Sequence, residues 1–174
     1  MIAAGDVATA AAFLDEWVKK FPKDQVGLRT LAETQFRAGQ LQAARLSYTR
    51  ALAVEPDNPV MLNNFANLLL RLGDDGAQGA AERAVKLVPG NPSFADTLGW
   101  ILVQKGQTEA GLRHLREARL RSPDNPEIRF HLAYALTRIG RRDEAKTELA
   151  SALYSPARLE ITPQVTSLKR ELGL

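Results

Sequence analysis

Large apolar residues stand directly before a small one at Leu31-Ala32, Phe65-Ala66, Leu98-Gly99 and Leu132-Ala133, spaced 34, 33 and 34 residues apart. A second set of small residues, Ala51, Ala84, Ala118 and Ala152, recurs later in the same period. Small residues at a fixed phase mark points where two helices approach closely, so this pattern predicts paired helices that repeat along the chain. The helix breakers keep the same beat. Gly39, Gly73, Gly106 and Gly140 lie 34, 33 and 34 apart, and Pro-x-Asn-Pro recurs at Pro56-Asp57-Asn58-Pro59, Pro89-Gly90-Asn91-Pro92 and Pro123-Asp124-Asn125-Pro126. Between each proline and the next glycine there is room for a helix of about four turns, and between glycine and the next proline for a second. Each unit therefore reads as a helix hairpin. Such a unit cannot bury its apolar face alone, so neighbours must stack.

These residues resemble the tetratricopeptide repeat (TPR), a 34-residue helix-turn-helix unit with small residues at the helix crossings and a proline at its end. The resemblance extends over nearly all of the 174 residues. It implies an all-α, right-handed superhelical solenoid in one domain, with a partial first repeat over 1–24. Full repeats are expected over 25–58, 59–91, 92–125 and 126–157, and a capping helix over 162–173. Departures are local. Gln35 stands where the family has a large apolar residue, and Trp17 where it has a small alanine in the second helix. One residue is missing between Gly73 and Ala77, which predicts a tightened turn.

Gly5 shares the phase of the turn glycines and Pro22 that of the closing prolines, so the chain reads as starting inside a repeat. On that reading Met1 to Ala4 are the remnant of a first helix. Asp6 to Phe21 form the second, with Phe13, Leu14 and Trp17 on an apolar face. The C-terminal part of a longer protein would begin in this way, and an uncovered apolar face of this kind is expected to support homo-oligomerisation. At the other end Ser155-Pro156 stops the rhythm. Thr162 is placed to cap a last helix with Pro163 at its first position, and Val165, Leu168 and Leu172 fall on one face. Residues 63–136 are also similar to the last repeats of TPR proteins found beside bacterial exosortase (PEP-CTERM) systems, through Asp96-Thr97-Leu98-Gly99-Trp100-Ile101-Leu102-Val103 and Pro126-Glu127-Ile128-Arg129-Phe130-His131-Leu132-Ala133. That likeness implies a cell-envelope or periplasmic role in polysaccharide or surface-protein export; without it a cytoplasmic location is expected.

On the first helix of each unit, residues four apart stand above one another and form columns. They read Arg29-Glu33-Arg37, Asn63-Asn67-Arg71, Asp96-Trp100-Gln104 and Phe130-Tyr134-Arg138. In the TPR family the matching face lines a concave groove that holds an extended peptide. The resemblance assigns peptide amides to Asn67 with Asn63 or Asn64, charge to Arg29, Arg71 or Arg138, and an apolar side chain to Trp100, Phe130 and Tyr134. The chemistry is suited to that task, since asparagine offers donor and acceptor to a peptide unit and arginine a planar fork to a carboxylate. Glu33 and Asp96 place negative charge on the same face, so a partner segment carrying both signs is expected, and a clamp for a C-terminal pair of carboxylates fits poorly. Phe130 and Tyr134 filling gaps between helices, and asparagines that are simply solvated, are the competing readings.

Composition supports a non-catalytic interaction protein. No run of about 18 apolar residues suggests a membrane span. With no cysteine, thiolate metal sites, disulfides and cysteine nucleophiles are excluded. His114 and His131 lie in different repeats without the spacing of a helix-borne zinc motif, and read as core or surface filling. Residues 73–79 lack the acidic ligands of a calcium loop and the lysine of a phosphate loop. No cofactor or metal is therefore expected, and no catalytic residue. Between Lys105 and Lys146 ten basic residues face six acidic ones. That excess reads as a solvated face supported by pairs such as Arg113 with Glu117; the competing reading is a basic outer surface for anionic lipid or nucleic acid, although aromatic-interleaved nucleic-acid motifs are absent. Two function classes remain: a module that grips a segment of a protein partner, and a structural or self-association element acting through its ends and outer faces.

Overall fold

The structure, a computed structural model, describes residues 4–174, with side chains from residue 7 onward. Ten α-helices are found among these residues and no strand. Backbone contacts divide the chain into two compact units, Met1–Leu87 and Val88–Leu174. Packing confined to sequence-neighbouring hairpins gives a repeat chain no common centre, so each unit gathers its own core.

Asparagine and proline start the helices. Asn58 Oδ1 accepts from Met61 N at 3.0 Å, Asn91 Oδ1 from Ser93 N at 3.0 Å, and Asn125 Oδ1 from Glu127 N at 2.9 Å. The proline that follows each of these caps sits in the first helical turn, where its missing N–H costs nothing. Asp24 performs the same capping at Val26 N, 3.1 Å away. The repeating glycines end the helices. Gly39, Gly73, Gly106 and Gly140 all have φ between 68° and 79°, which favours a residue without Cβ. Each lets the following amide reach back to a carbonyl of the last turn, as from Gln40 N to Gln35 O at 2.9 Å and from Gln107 N to Leu102 O at 2.9 Å.

The first unit contains α1 (Ala4–Lys20), α2 (Gln25–Arg37), α3 (Leu41–Val54), α4 (Pro59–Arg71) and α5 (Ala77–Leu87). Each packs on the next, and α2 also touches α4. Val18, Leu28, Leu31, Ala51 and Met61 form one core cluster, and Ala32, Ala44, Tyr48 and Leu68 another. Gly5 already lies in α1 instead of a turn, and of the expected helix remnant Met1 to Ala4, Ala4 begins α1 while residues 1–3 lie outside the described residues. Gln35 is buried and accepts from Ser47 Oγ at 2.7 Å, which satisfies a polar group at an apolar position. The missing residue after Gly73 does not tighten the turn. It removes the first turn of the following helix, so α5 has 11 residues against 14 in α3, and five residues join it to α4. Asp74 closes that connection by accepting from Gly76 N at 2.8 Å and from Arg45 Nη2 at 2.8 Å.

The second unit contains α6 (Pro92–Gln104), α7 (Thr108–Arg121), α8 (Pro126–Arg138), α9 (Arg142–Leu153) and α10 (Pro163–Leu172). Sequential neighbours pack, and α6 also touches α8. Gly99 and Gly111 bring α6 and α7 almost into backbone contact: a Cβ on Gly111 would lie 2.6 Å from Gly99 O. One core cluster runs from Leu112 and Leu115 through Leu132 and Leu149 to Val165, Leu168 and Leu172. Thr162 Oγ1 caps α10 at Val165 N, 3.2 Å away, and Gly173 ends it at φ 72°. Lys169, Arg170 and Glu171 stay exposed on the face of α10 turned away from that cluster.

Candidate functional site

In the first unit the column residues of α2 and α4 have separate surroundings. Arg29 and Glu33 are half-buried and Arg37 is exposed. Asn67 is half-buried, whereas Asn63 is only 8% exposed and its Oδ1 is enclosed without a donor. An enclosed carbonyl cannot meet an arriving peptide amide, so Asn63 is corrected from a groove residue to a core residue. The exposed Arg71 places its guanidinium 5.2 Å above the Phe36 ring, a cation–π contact that fixes its stem while leaving its N–H fork available. Behind this face lies Tyr48, fully buried, whose phenol is pushed above its usual range by burial first and by the Glu33 carboxylate next.

In the second unit the corresponding residues bind one another. Asp96 is 8% exposed, and its two carboxylate oxygens lie 2.9 and 3.0 Å from His131 Nδ1. The imidazole stacks on Trp100 with centroids 4.3 Å apart and planes at 18°. Tyr134 meets Trp100 edge-on at 5.1 Å. Arg138 donates from Nη2 to Tyr134 Oη at 2.6 Å and sits 5.0 Å from that ring. Asp96 is therefore no free groove charge; it holds His131, which in turn supports Trp100. Phe130 is also corrected. It is 5% exposed and belongs to the core, because the segment after α9 brings Leu159 and Val165 into the same cluster.

Three concavities adjoin this cluster. One of about 290 Å³ is lined by Gln104, Thr108, Tyr134 and Arg138, and one of about 250 Å³ by Tyr134, Arg138, Gln164 and Glu171. The third, about 140 Å³, lies against Trp100, Phe130 and His131. A larger cleft of about 460 Å³ opens elsewhere, between α7 and α9, beside the highly exposed Leu120. Of its two lining arginines, Arg119 binds Glu148 at 3.0 Å, and the same carboxylate also takes Arg129 from outside the cleft at 2.8 Å. Among the described residues no group of three acidic, histidine or cysteine side chains is placed to hold a metal.

Sequence reasoning missed His131 as a member of the site. The available signal was its position beside Phe130, one residue off the column, which brings it opposite the start of the α6 column. Along α1 and the residue after it, Phe13, Trp17 and Phe21 form an exposed aromatic row, with ring centroids 6.5 and 4.6 Å apart. Leu14, expected on the same outer face, instead packs inward on the Val18 and Leu28 cluster, because it shares its side of the helix with the buried Ala11 and Val18. Trp17 Nε1 donates to Asp24 Oδ2 at 2.6 Å.

Family models described as tetratricopeptide repeat match residues 29–92 and 102–172. The chain belongs to the TPR family. A TPR repeat-containing protein of Pseudomonas aeruginosa is 31% identical over 123 residues, 68% of this chain and 20% of its own length. The cellulose synthase 1 operon protein C of Komagataeibacter xylinus is 29% identical over 153 residues, 83% of this chain and 10% of its own. The chain thus spans a fifth or less of these relatives, and neither name mentions an exosortase system.

Solved TPR folds match closely. PilW, described as a widely conserved type IV pilus biogenesis factor, superposes with a TM-score of 0.79 at 18% identity, covering 97% of this chain and 85% of that one. MamA gives 0.75 at 18% identity, with coverage of 88% and 90%. YrrB, described as a TPR protein with an unusual peptide-binding site, gives 0.71 at 15% identity, with coverage of 95% and 84%. At these identities the likeness is one of fold.

Proposed function

We propose that this TPR chain is a non-catalytic protein-interaction module that holds a peptide segment of a partner protein on its first-helix faces. The observation that carries the reading is the α6 and α8 cluster. Trp100, Tyr134 and Arg138 remain open to solvent in part, are tied to the half-buried His131 and through it to the buried Asp96, and are bordered by three concavities. Preorganised aromatic and arginine side chains are the groups that dominate binding hot spots, because their ordering cost is met before the partner arrives. Arg71 and Asn67 supply a second polar patch in the first unit. The names of the cellulose synthase operon relative and of the pilus factor favour a partner in bacterial envelope export or assembly.

Paired capture tests this. The native chain and the variant Trp100→Ala/Tyr134→Ala serve as baits in lysate of the source organism once circular dichroism gives equal helicity. A protein held by the native bait and lost with the variant is the expected result; equal capture by both removes the α6 and α8 face from the function. A charge reversal at Arg71 is expected to weaken the same capture less than the double variant does.

One observation favours a second reading, a self-association element. Phe13 is 66% and Phe21 49% exposed in the α1 row. Concentration-dependent oligomers abolished by Phe13→Glu would support it.

A further inference from the structure

We propose that the cavity of about 140 Å³ formed by α6, α8 and the segment leading into α10 receives a lysine or arginine side chain of the bound partner. This deepens the peptide-binding reading and rests on it. The cavity has an aromatic wall of Trp100, Phe130 and His131, and its lining carries two carboxylates, Glu127 and Glu160, together with the Gln164 amide. No lysine or arginine lines it. Neither Glu127 nor Glu160 is paired with a cationic side chain among the described residues. The guanidiniums of α8 are engaged elsewhere: Arg129 on Glu148 and Pro123 O, Arg138 on Tyr134. The other titratable group of the lining, His131, turns its Nδ1 to the buried Asp96, which adds a third carboxylate behind the wall.

Aromatic rings present negative potential on their faces and attract an organic cation, and carboxylates at the mouth add a charge-assisted hydrogen bond. An acidic peptide side chain would meet like charge and no donor fork. A purely apolar one would gain nothing from either carboxylate. The size suits one long side chain and not a chain segment, so the cavity acts as a specificity pocket beside the more open Tyr134 and Arg138 surface, which can take the peptide backbone or an acidic neighbour.

The test is a selection of random twelve-residue peptides displayed on phage against the native chain, with Trp100→Ala as the counter-selection bait. Enriched peptides are then synthesised with acetylated N-termini. The expected result is an obligatory lysine or arginine at one position. Replacing it by norleucine or citrulline should weaken binding about tenfold. The variant Glu127→Gln/Glu160→Gln should lose a similar factor, and the peptide replacement should then have little further effect. Both glutamates are exposed, so this variant keeps the fold and circular dichroism checks it. Trp100-dependent peptides without a required basic residue, or full affinity in the double glutamine variant, overturn the cation pocket and leave the peptide-binding reading standing. Failure to enrich any Trp100-dependent peptide overturns both.

Discussion

The two units are built from the same hairpin, yet their first helices use the equivalent positions differently. In the first unit, Arg71 leans on Phe36 of its own unit's α2, Asn63 is sealed in the core, and Asn67 and Arg29 are half-buried. In the second, Asp96, His131, Trp100, Tyr134 and Arg138 form one chain of contacts from a buried carboxylate to an exposed guanidinium. A repeat phase therefore fixes where a side chain stands and leaves open what it does. That depends on whether the neighbouring helix offers it a partner. The units also differ where their helices cross: α6 and α7 meet through Gly99 and Gly111, while the shortened α5 presents an exposed Gly79 with nothing near its would-be Cβ.

This contrast gives the largest expected effect. Gly111→Val places a side chain 2.6 Å from a backbone oxygen and 2.7 Å from Val103, which cannot be relieved without separating α6 from α7. A loss of about 3 kcal/mol is expected, read as a lower midpoint of chemical unfolding. Gly79→Ala in α5 has the opposite sign, with a gain of about 0.5–1 kcal/mol, because it removes backbone freedom from an open helical site. If both substitutions act alike, the close crossing of α6 and α7 is wrong.

The next effect separates a coupled face from an uncoupled one. His131→Ala leaves the buried Asp96 carboxylate without its imidazole and should cost about 1–3 kcal/mol. Arg71→Ala removes only an exposed cation–π contact, worth about 0.5–1 kcal/mol. Equal losses in urea unfolding would erase the distinction between the units.

Much of this fold is legible without coordinates, because its signals are local. An asparagine followed by proline starts a helix and a glycine in the left-handed region ends one, and neither needs a distant partner. The site is less legible for the converse reason. Asp96 and His131 are 35 residues apart, and whether they meet depends on side-chain directions that periodicity does not specify. Phe130 keeps the phase of a groove residue but is covered by Leu159 and Val165, which lie beyond the last repeat. The residue deleted after Gly73 is visible as a count, yet only packing decides that helix α5 absorbs it and the turn does not: Ala77 must keep its buried position, so the helix starts there.

The smallest effect concerns the Trp17 substitution, where the first unit departs furthest from its family pattern. A tryptophan at a small-residue position is accommodated because Gly27 faces it: a Cβ there would lie 3.0 Å from Trp17 Cδ1 and 2.9 Å from Asp24 Oδ2. Asp24 thereby serves two helices at once, capping α2 and accepting from the indole. The indole hydrogen bond first, then the amides of the cap, hold the Asp24 carboxyl below the ordinary carboxylate range. A depressed carboxyl stabilises the fold at pH above its unfolded value, about 3.9, and that contribution is lost as pH falls through its lower folded value. Trp17 emission, read in a Trp100→Phe background, should therefore stay constant down to about pH 4 and change only in more acid solution. Asp24→Asn should remove the transition while Gly27→Ala displaces the indole at all pH values. A midpoint above 4 would mean that the tryptophan is held by apolar contact with Phe13 and Phe21 alone, and that Asp24 serves α2 only.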